Sequence, residues 1–469
     1  MEKDRGSEYE RQIKFLYARG KEEDCVCKRH IGNMNIVLLS GGSGKRLWPL
    51  SNDIRSKQFI KLFKNEDKYE SIVQRVYRQI VAVDKNAKIT IATSKSQVST
   101  IKNQLGEKIS ICVEPCRKDT FPAIVLAMTY LHDILGVEND EAVVVCPVDP
   151  YVDNTYYEAV KQLQCLAEEG KTNLILMGIE PTYPSEKYGY IIPEDDENVS
   201  NVKKFREKPD IQTAQKYLKQ NALWNAGIFA FKLGYLLDKA HNLMEFDDYY
   251  DLLSKYDALT KISFDYAVVE KETSIQVLRY SGDWKDVGTW NMMSEVMADA
   301  TKGNVILDET CENTNAINEL NIPILCMGCK NMIIAASGDG ILISDKESSA
   351  YMKPYVEKIE TEAMYAEKSW GTYTVIDVQH GSMTIKISMK CGEKMSYHMH
   401  NNREEVWMIV SGRGKAIVDD VEQIVGTGDV ITIPAGHKHT VEALTSLDMI
   451  EVQLGKEISV MDKIKFQIN

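Results

Sequence analysis

The chain has 469 residues, more than one ordinary domain contains, so we expect two or three domains. Hydrophobic residues make up 44% and charged residues 27%, which is typical of globular proteins, and no stretch approaches the ~20 apolar residues of a membrane span. The formal net charge of −13 argues against nucleic acid as a partner, because nucleic-acid binders usually carry a broad basic surface. The charged N-terminus lacks an apolar signal core and the cysteines lack framework spacing, which predicts a cytoplasmic protein with no membrane partner.

The pattern after the N-terminus predicts a doubly wound α/β domain over residues 34–290. Residues 1–33 are polar and form an extension of unknown role. From residue 34 onward, short apolar runs alternate with helical periods, as they do in parallel α/β sheets. The segment 122–136 predicts a buried helix with Pro122 near its first turn. Strands are predicted at 35–39, 88–92, 109–113, 143–146 and 174–179.

Two β-rich regions follow this domain. Residues 291–365 contain short β-prone runs separated by Gly and Asn, and predict a small connector. Over 366–469, β-branched alternation and glycine turns recur about every 8–12 residues without a long helix. This pattern predicts an all-β sandwich or small barrel at the end of the chain.

A glycine-rich basic loop follows the first predicted strand. Gly41, Gly42 and Gly44 allow the backbone to approach a phosphate closely and to point N–H groups at it. Arg46 adds a planar fork for phosphate oxygens, and Lys57 adds a compact positive charge. The loop fits neither the Walker nor the Rossmann pattern. It therefore predicts a phosphate site of another kind, with a simple tight turn as the alternative.

An acid stands where an open α/β sheet would present it to a ligand. Asp149 follows the predicted strand 143–146, and ligands bind at the carboxyl edge of such sheets. A turn residue or a helix cap is the alternative for an Asp in this position. The local pattern alone leaves both interpretations open.

The sequence GGSGKRLWPLS at 41–51, followed by RSKQF at 55–59, resembles the signature of sugar-nucleotide pyrophosphorylases, specifically of the mannose-1-phosphate guanylyltransferase branch. The resemblance covers residues 35–290. This chain departs from the family at Ser56 (usually Pro), at Pro150-Tyr151 (usually His and a hydrophobe) and at Asp119 (usually Asn), which affects specificity more than reaction class. The other matching motifs are Glu114-Pro115, Pro147-Val148-Asp149, Tyr188-Gly189-Tyr190-Ile191, Phe205-Arg206-Glu207-Lys208-Pro209, Trp224-Asn225-Ala226-Gly227, Phe264-Asp265-Tyr266-Ala267 and Asp283-Trp284-Lys285-Asp286-Val287-Gly288-Thr289-Trp290.

This resemblance implies a doubly wound mixed sheet and a nucleotidyl transfer reaction. Mannose 1-phosphate would attack the α-phosphorus of GTP, giving GDP-mannose and pyrophosphate, and cations would be needed because both substrates are polyanions. Mg²⁺ suits carboxylate ligands of this kind. The implied site residues are Gly41, Gly42, Gly44, Lys45, Arg46 and Lys57 for the nucleotide, Gly189, Glu207, Lys208 and Asn225 for the sugar phosphate, and Asp149 and Asp286 for Mg²⁺. Of these, Arg46, Lys57, Asp149 and Asp286 are the catalytic candidates.

Recognition of the guanine nucleobase would involve an acidic residue that follows the third predicted strand. Guanine presents adjacent N1–H and N2–H₂ donors that one carboxylate can accept together. Glu114 or Asp119 could supply that carboxylate. The alternative for Glu114 is a solvated loop acid.

Four of the eight histidines, His398, His400, His437 and His439, fall within 42 residues of the C-terminal β region, and their spacing resembles both cupin motifs. His398 and His400 are two apart on a predicted strand, so their rings would share the barrel interior. Glu405 and His439 would arrive from adjacent strands. Three imidazoles and a carboxylate suit Zn²⁺, Fe²⁺, Mn²⁺ or Ni²⁺.

In long members of this family the cupin is often a phosphomannose isomerase, with a motif resembling QMHxHRxEHW. Here the family's Gln is His398 and its final His is Val406. The loss of a possible proton-transfer residue beside the metal argues against isomerase activity. A regulatory, degenerate or other-sugar cupin is the alternative.

Other functions for the whole chain stay open at this stage. It could act on another sugar 1-phosphate or another nucleotide, or it could be a regulator that binds sugar nucleotides without turnover. It could also be mainly an isomerase with a vestigial transferase. The intact set of catalytic candidates favours a working transferase. We also expect a homo-oligomer.

Overall fold

The computed structural model describes residues 33–42, 45–52, 54–359, 363–456, 458–459 and 462–466. Gly44 of the glycine loop and residues 1–32 of the predicted extension lie outside this described part. Within it, no helix is long and apolar enough to cross a membrane.

The first half of the chain builds a large mixed sheet. In the described residues it has nine strands, in the order β5-β4-β1-β6-β11-β8-β12-β10-β9, and two shorter pairs flank it, β2 with β3 and β7 with β13. The five strands predicted from the sequence are all confirmed, with boundaries within two residues. The strands are β1 (Asn35–Ser40), β2 (Lys61–Asn65), β3 (Lys68–Ser71), β4 (Lys88–Ser94), β5 (Ser110–Glu114), β6 (Ala142–Pro147), β7 (Pro150–Val152), β8 (Leu174–Ile179), β9 (Tyr190–Pro193), β10 (Val199–Arg206), β11 (Leu223–Lys232), β12 (Ile275–Tyr280) and β13 (Trp284–Asp286).

Helices cover both faces of this sheet, as the doubly wound prediction requires. Along β1, Ile36 and Leu38 join one hydrophobic core and Val37 joins the other, because successive side chains of a strand point to opposite faces. Ser71 caps the first helix in a reciprocal capping box with Gln74. The helices are α1 (Ile72–Val83), α2 (Val98–Leu105), α3 (Thr120–Asp133), α4 (Tyr156–Glu169), α5 (Ile211–Leu218), α6 (Leu233–Leu243), α7 (Tyr249–Lys255), α8 (Phe264–Ala267) and α9 (Trp290–Val296).

The predicted buried helix is α3, which begins two residues earlier than Pro122. Nearly all of its residues are buried, since it lies between the sheet and helices α6 and α7. Asp119 caps its first turn by accepting a hydrogen bond from the N–H of Thr120 at 2.8 Å.

The connector consists of two small sheets. Strands β14, β16, β18 and β19 form one sheet, and β15 and β17 form the other. The elements are β14 (Thr301–Lys302), β15 (Val305–Leu307), β16 (Asn315–Asn318), β17 (Ile324–Cys326), β18 (Met332–Ser337), β19 (Gly340–Asp345) and the short helix α10 (Lys353–Val356). The domain boundaries at 34, 291 and 366 remain predictions.

A buried ion pair ties the connector to the first domain. Both guanidinium nitrogens of Arg55 donate to Glu319, at 2.6 and 3.0 Å. The Arg55 side chain is only 8% exposed and also lies over the ring of Tyr365. Burial alone would raise the pKa of Glu319, but the charge of Arg55 more than offsets this and lowers it. The pair is therefore ionised on both sides.

The C-terminal region closes into two facing sheets with a hydrophobic core between them, which confirms the all-β prediction. In the described residues the sheets run β20-β21-β22-β29-β24-β27 and β26-β25-β28-β23-β30. The strands are β20 (Tyr365–Lys368), β21 (Gly371–Gln379), β22 (Ser382–Met389), β23 (His398–Met399), β24 (Arg403–Ser411), β25 (Arg413–Val418), β26 (Val421–Gly426), β27 (Val430–Ile433), β28 (His439–Ala443), β29 (Leu447–Gly455) and β30 (Ile464–Lys465).

Removing the partner of Arg55 should destabilise the protein strongly. Glu319→Ala removes the carboxylate that is bonded to both guanidinium nitrogens of buried Arg55, and we expect a loss of roughly 3 kcal/mol in the free energy of unfolding. Glu312→Ala is the matched control, because the Glu312–Lys330 pair lies in the same connector but is about two-thirds exposed. Thermal unfolding followed by circular dichroism checks this; equal Tm values for the two variants would contradict it.

Candidate active site and metal centre

A cleft of about 620 Å³ opens at the carboxyl ends of β1, β5 and β6. The start of the glycine loop lines this cleft, as do the segments around residues 189, 207 and 225. The predicted site residues that line it are Gly41, Gly42, Lys57, Glu114, Asp119, Asp149, Gly189, Glu207, Lys208, Asn225 and Asp286.

Two predicted residues lie at the edge of this cleft rather than in its wall. Lys45 and Arg46 belong to a 3-10 turn, Lys45–Leu47, in which Leu47 is buried and Arg46 exposed. They do not line the cavity formed by the described residues. The charge of Arg46 nevertheless reaches the cleft, because it acts to lower the pKa of Asp286.

An ion-pair cluster stands at the centre of the cleft. The Lys57 ammonium lies 2.8 Å from an Asp149 oxygen and 3.9 Å from an Asp286 oxygen. The pairing of β7 with β13 creates this arrangement, since Asp286 lies opposite Pro150. Burial raises the pKa of Asp286, and the neighbouring charge of Asp149 raises it further, while Lys57 opposes the shift. Two carboxylates placed in this way fit a hard divalent cation such as Mg²⁺.

The cleft wall around Gly189 allows a ligand to approach the backbone closely. A Cβ atom at Gly189 would lie 2.5 Å from a Glu207 oxygen and 3.3 Å from the Asn225 Cβ, so no side chain fits there. Glu207 is paired with Lys208 at 2.5 Å. Hydroxyl-binding groups and a cation thus converge on a surface that only glycine leaves open.

Sequence reasoning missed further charged residues of the cleft wall, among them Asp265 and Lys187. Asp265 accepts a hydrogen bond from the Asn225 amide at 2.7 Å, and burial together with nearby Glu207 raises its pKa to about 6. The motif Phe264-Asp265-Tyr266-Ala267 was the signal that could have found it. Lys187 also lines the cavity, directly before the Tyr188-Gly189 motif.

The two base-reading candidates have different surroundings. Glu114 is 7% exposed and accepts a hydrogen bond from the Tyr256 hydroxyl at 3.0 Å, and burial raises its pKa. Its second oxygen lies 3.6 Å from the position of a Cβ on Gly41, at the base of the loop. Asp119 is instead engaged as the cap of α3, with a backbone φ of 75°.

The predicted cupin histidines form a compact buried cluster. One ring nitrogen from each of His398, His400 and His439 lies within 4.8 Å of the others. Glu405 joins them, with its oxygens 3.2 Å from His400 Nε2 and 3.4 Å from His439 Nε2. Burial is the main cause that lowers the pKa of His398 to about 2, so this imidazole is neutral, as a metal ligand must be.

Backbone carbonyls orient all three rings. The Nδ1 atoms of His398 and His439 lie 2.6 and 2.9 Å from the carbonyl oxygens of Ser396 and His437, and Nδ1 of His400 contacts that of Asp462. With Nδ1 donating outward, the Nε2 atoms turn towards the centre of the cluster, where an Arg403 guanidinium nitrogen lies 3.0 Å from that of His400. Nε2 of His439 is buried and has no hydrogen-bond partner. This donor set fits a transition-metal ion.

The structure corrects two details of the sequence analysis here. Strand β23 ends at Met399, so His400 follows the strand instead of lying within it, although both rings still face the interior. The interpretation of Val406 was wrong. Along β24, Glu405 and Trp407 are buried while Val406 is partly exposed, so its side chain points away from the histidines. A His at this position would not stand beside the metal.

The comparisons with known proteins agree with this geometry. The profile of the nucleotidyl transferase family matches residues 35–303. The chain belongs to this family. A second profile, mannose-6-phosphate isomerase C-terminal, matches residues 357–467 of this nucleotidyl transferase.

Relatives resemble the nucleotidyl transferase over almost its whole length. A mannose-1-phosphate guanylyltransferase of Escherichia coli K12 is 29% identical over 473 residues, which cover 92% of this chain and 97% of the relative. The xanthan biosynthesis protein XanB of Xanthomonas campestris is 29% identical over 466 residues with the same coverage. A crystal structure described as mannose-1-phosphate geranyltransferase from Thermus thermophilus superposes with a TM-score of 0.58 at 26% identity, covering 70% of this chain and all of that one.

Metal binding at the histidine cluster should depend on His439 and not on its neighbour. We expect the purified chain to retain about one transition-metal ion, and His439→Ala to lose it, because it removes an inward Nε2. His437→Ala is the matched control: its ring is exposed and bonded to Asp419. Elemental analysis after dialysis measures the stoichiometry. Equal metal content in both variants would contradict the assignment.

Proposed function

We propose that this chain transfers a guanylyl group from GTP to mannose 1-phosphate, producing GDP-mannose and pyrophosphate, and that it works in the cytoplasm. The observation that carries the proposal is Lys57 between Asp149 and Asp286 in the cleft beneath the glycine loop. The names of the full-length relatives support the choice of substrates.

The charges of the cleft suit a reaction between two polyanions. The nucleophile is a phosphate oxygen that is already ionised, so positioning and charge neutralisation supply most of the rate. Lys57 is the cation for the α-phosphate, and the glycine loop with Arg46 holds the outer phosphates. Asp149 and Asp286 would hold Mg²⁺, which supplies neutralising charge along the phosphates when bound.

Different residues are proposed to bind the sugar phosphate and the nucleobase. On the sugar side, Glu207 and Asn225 are assigned to hydroxyls, Lys208 to the phosphate, and Gly189 leaves room for the ring. On the base side we propose Glu114 as the reader of guanine, because it is buried at the cleft with one oxygen not occupied by Tyr256. Asp119 instead caps the first turn of helix α3.

Turnover with a panel of substrates tests the reaction. With Mg²⁺, GTP and mannose 1-phosphate the protein should release pyrophosphate faster than with ATP, UTP, CTP or glucose 1-phosphate. Asp286→Asn should lower kcat/KM by about 100-fold or more, since it removes a charge that the metal and Lys57 depend on. Asp283→Asn, an exposed neighbour outside the cleft wall, should be close to wild type.

The alternatives give different results in this assay. A regulator would bind GTP or GDP-mannose in calorimetry but release no pyrophosphate from any pair of substrates. A transferase of other specificity would turn over a different nucleotide or sugar phosphate, with Asp286→Asn still defective. Full activity of Asp286→Asn at limiting Mg²⁺ would refute the metal assignment.

A second activity, isomerisation of mannose 6-phosphate, is favoured by the cavity next to the histidine cluster. This cavity measures about 830 Å³ and reaches His398 and Glu405. Among the described residues that line it, the acids are Glu405 and Glu451, and the cations Lys368, Arg403, Lys456 and Lys463 suit a phosphate. A divalent ion there would polarise sugar oxygens, and Glu451 is the proposed proton carrier between carbons 1 and 2.

The isomerase proposal predicts different effects for two substitutions in the cupin domain. Metal-loaded wild type should convert fructose 6-phosphate to mannose 6-phosphate, and Glu451→Gln should lower the rate by about 100-fold or more. Val406→His should leave the rate unchanged, because position 406 faces away from the cluster. No conversion by the metal-loaded wild type would leave the cupin domain with a binding role only.

A further inference from the structure

A buried polar cluster lies directly under the glycine loop. Its members are at most 2% exposed and come from three separate parts of the chain: Ser40, Ser56, Gln58, Thr93 and Gln97. None of them was a predicted site residue. Burying so many polar groups is costly unless they are hydrogen-bonded to one another, so the cluster requires a physical reason.

Gln97 organises this cluster through its amide. The Oε1 atom lies within hydrogen-bond distance of three donors, Thr93 Oγ1 at 2.9 Å, Gln58 Nε2 at 3.1 Å and Ser40 Oγ at 3.3 Å. On its other side the amide meets the Gly42 carbonyl, which can only accept a hydrogen bond. The Nε2 end therefore faces the loop, where it donates to Ser56 Oγ at 2.8 Å and to the Gly42 carbonyl at 3.4 Å.

The Gly42 carbonyl is the target on which the cluster converges. Ser56 Oγ donates to it at 2.9 Å, in addition to the Gln97 amide. A carbonyl oxygen carries partial negative charge, and one turned into the cleft would repel phosphate oxygens. The two donors hold this oxygen on the protein side, so the loop presents its other face to the ligand.

We propose that Gln97, acting with Ser56, is a positioning residue that sets the glycine loop for the triphosphate. This inference rests on the proposed function of the loop as the site of the nucleotide phosphates. Neither Gln97 nor Ser56 is among the residues that line the cleft, so neither side chain touches the sugar phosphate itself, and both act on the loop through Gly42. Loss of this device, by which we mean the hydrogen bonds of Gln97 and Ser56 to the Gly42 carbonyl, should therefore weaken nucleotide binding selectively.

Position 56 is one of the departures from the family signature described above, which has proline there. The φ of Ser56 is −73°, close to the value that a proline ring imposes. The backbone path can thus be the same with either residue, while only serine provides a hydroxyl for Gly42.

Gln97→Glu tests the device with little change of shape. The retained oxygen still accepts from Thr93, Gln58 and Ser40, whereas the second oxygen cannot donate to Gly42 and competes for the Ser56 hydroxyl. We expect KM for GTP to rise about tenfold or more, with KM for mannose 1-phosphate within about twofold of wild type. Ser56→Ala, a milder change, should raise KM for GTP about threefold in the same direction.

Gln164→Glu is the matched control, since Gln164 is equally buried, lies in the same domain on α4 and contacts Asn33 and Glu168 instead of the loop. Both Glu variants should lower Tm, but only Gln97→Glu should change KM for GTP. A lowered Tm with unchanged KM for GTP in both Gln97→Glu and Ser56→Ala would overturn the proposal and leave a merely structural cluster.

Calorimetric titration with Mg²⁺ and GTP separates this inference from the proposed reaction. If wild type binds GTP but forms no GDP-mannose, the reaction is wrong, and weaker GTP binding by Gln97→Glu would still support the device. If wild type turns over and both loop variants bind GTP normally, the device is wrong and the reaction stands. Absence of GTP binding by wild type would refute both.

Discussion

The transferase cleft depends on one short pairing, because the three residues of β7 and the three of β13 bring Asp149 and Asp286 to the same point from distant parts of the chain. Two carboxylates held this close repel each other, and burial adds to the cost of their charges. Lys57 balances them in the ligand-free protein. A phosphate entering the cleft competes for that ammonium, and the carboxylates then need a second cation. The pairing therefore explains why the proposed site would combine a lysine with a divalent metal.

The two proposed metal sites differ in the type of their donor atoms and in how deeply these atoms are buried. In the cleft the donors are oxygens, Asp149 is 40% exposed, and a resident lysine balances the charge, which suits a weakly held ion that arrives with its substrate. In the cupin domain the donors are buried imidazoles, each oriented by a backbone carbonyl. Neutral imidazoles cost little to bury, and Arg403 lies 3.2 Å from the buried Glu405 carboxylate, so the charges of this site are balanced without an ion.

Sequence patterns predicted the strands, the doubly wound arrangement and the histidine cluster, because each leaves a local period or spacing. Asp286 was found only through resemblance, since nothing near it indicates a partner as distant as Asp149. The error at Val406 arose because a motif gives spacing, whereas the face of a strand depends on where its alternation begins. The Gln97 cluster left no local signal at all: its hydrogen bonds join residues that meet only when β1, β4 and the loop fold together.

The connector does more than link two domains, because it holds the segment that follows the glycine loop. The Ser337 hydroxyl donates to the Pro49 carbonyl at 2.7 Å, and the Asn52 amide donates to Asp339 at 2.6 Å. The other oxygen of Asp339 accepts from the N–H of Met364, which also lines the cupin cavity. One buried carboxylate thus joins the segment that follows the glycine loop to the wall of the second site. Gln97 thus holds Gly42 and Asp339 holds Asn52, one on each side of the basic turn at Lys45–Leu47. Rigid placement of backbone donors is what the proposed phosphate site, which has no strong base, would require.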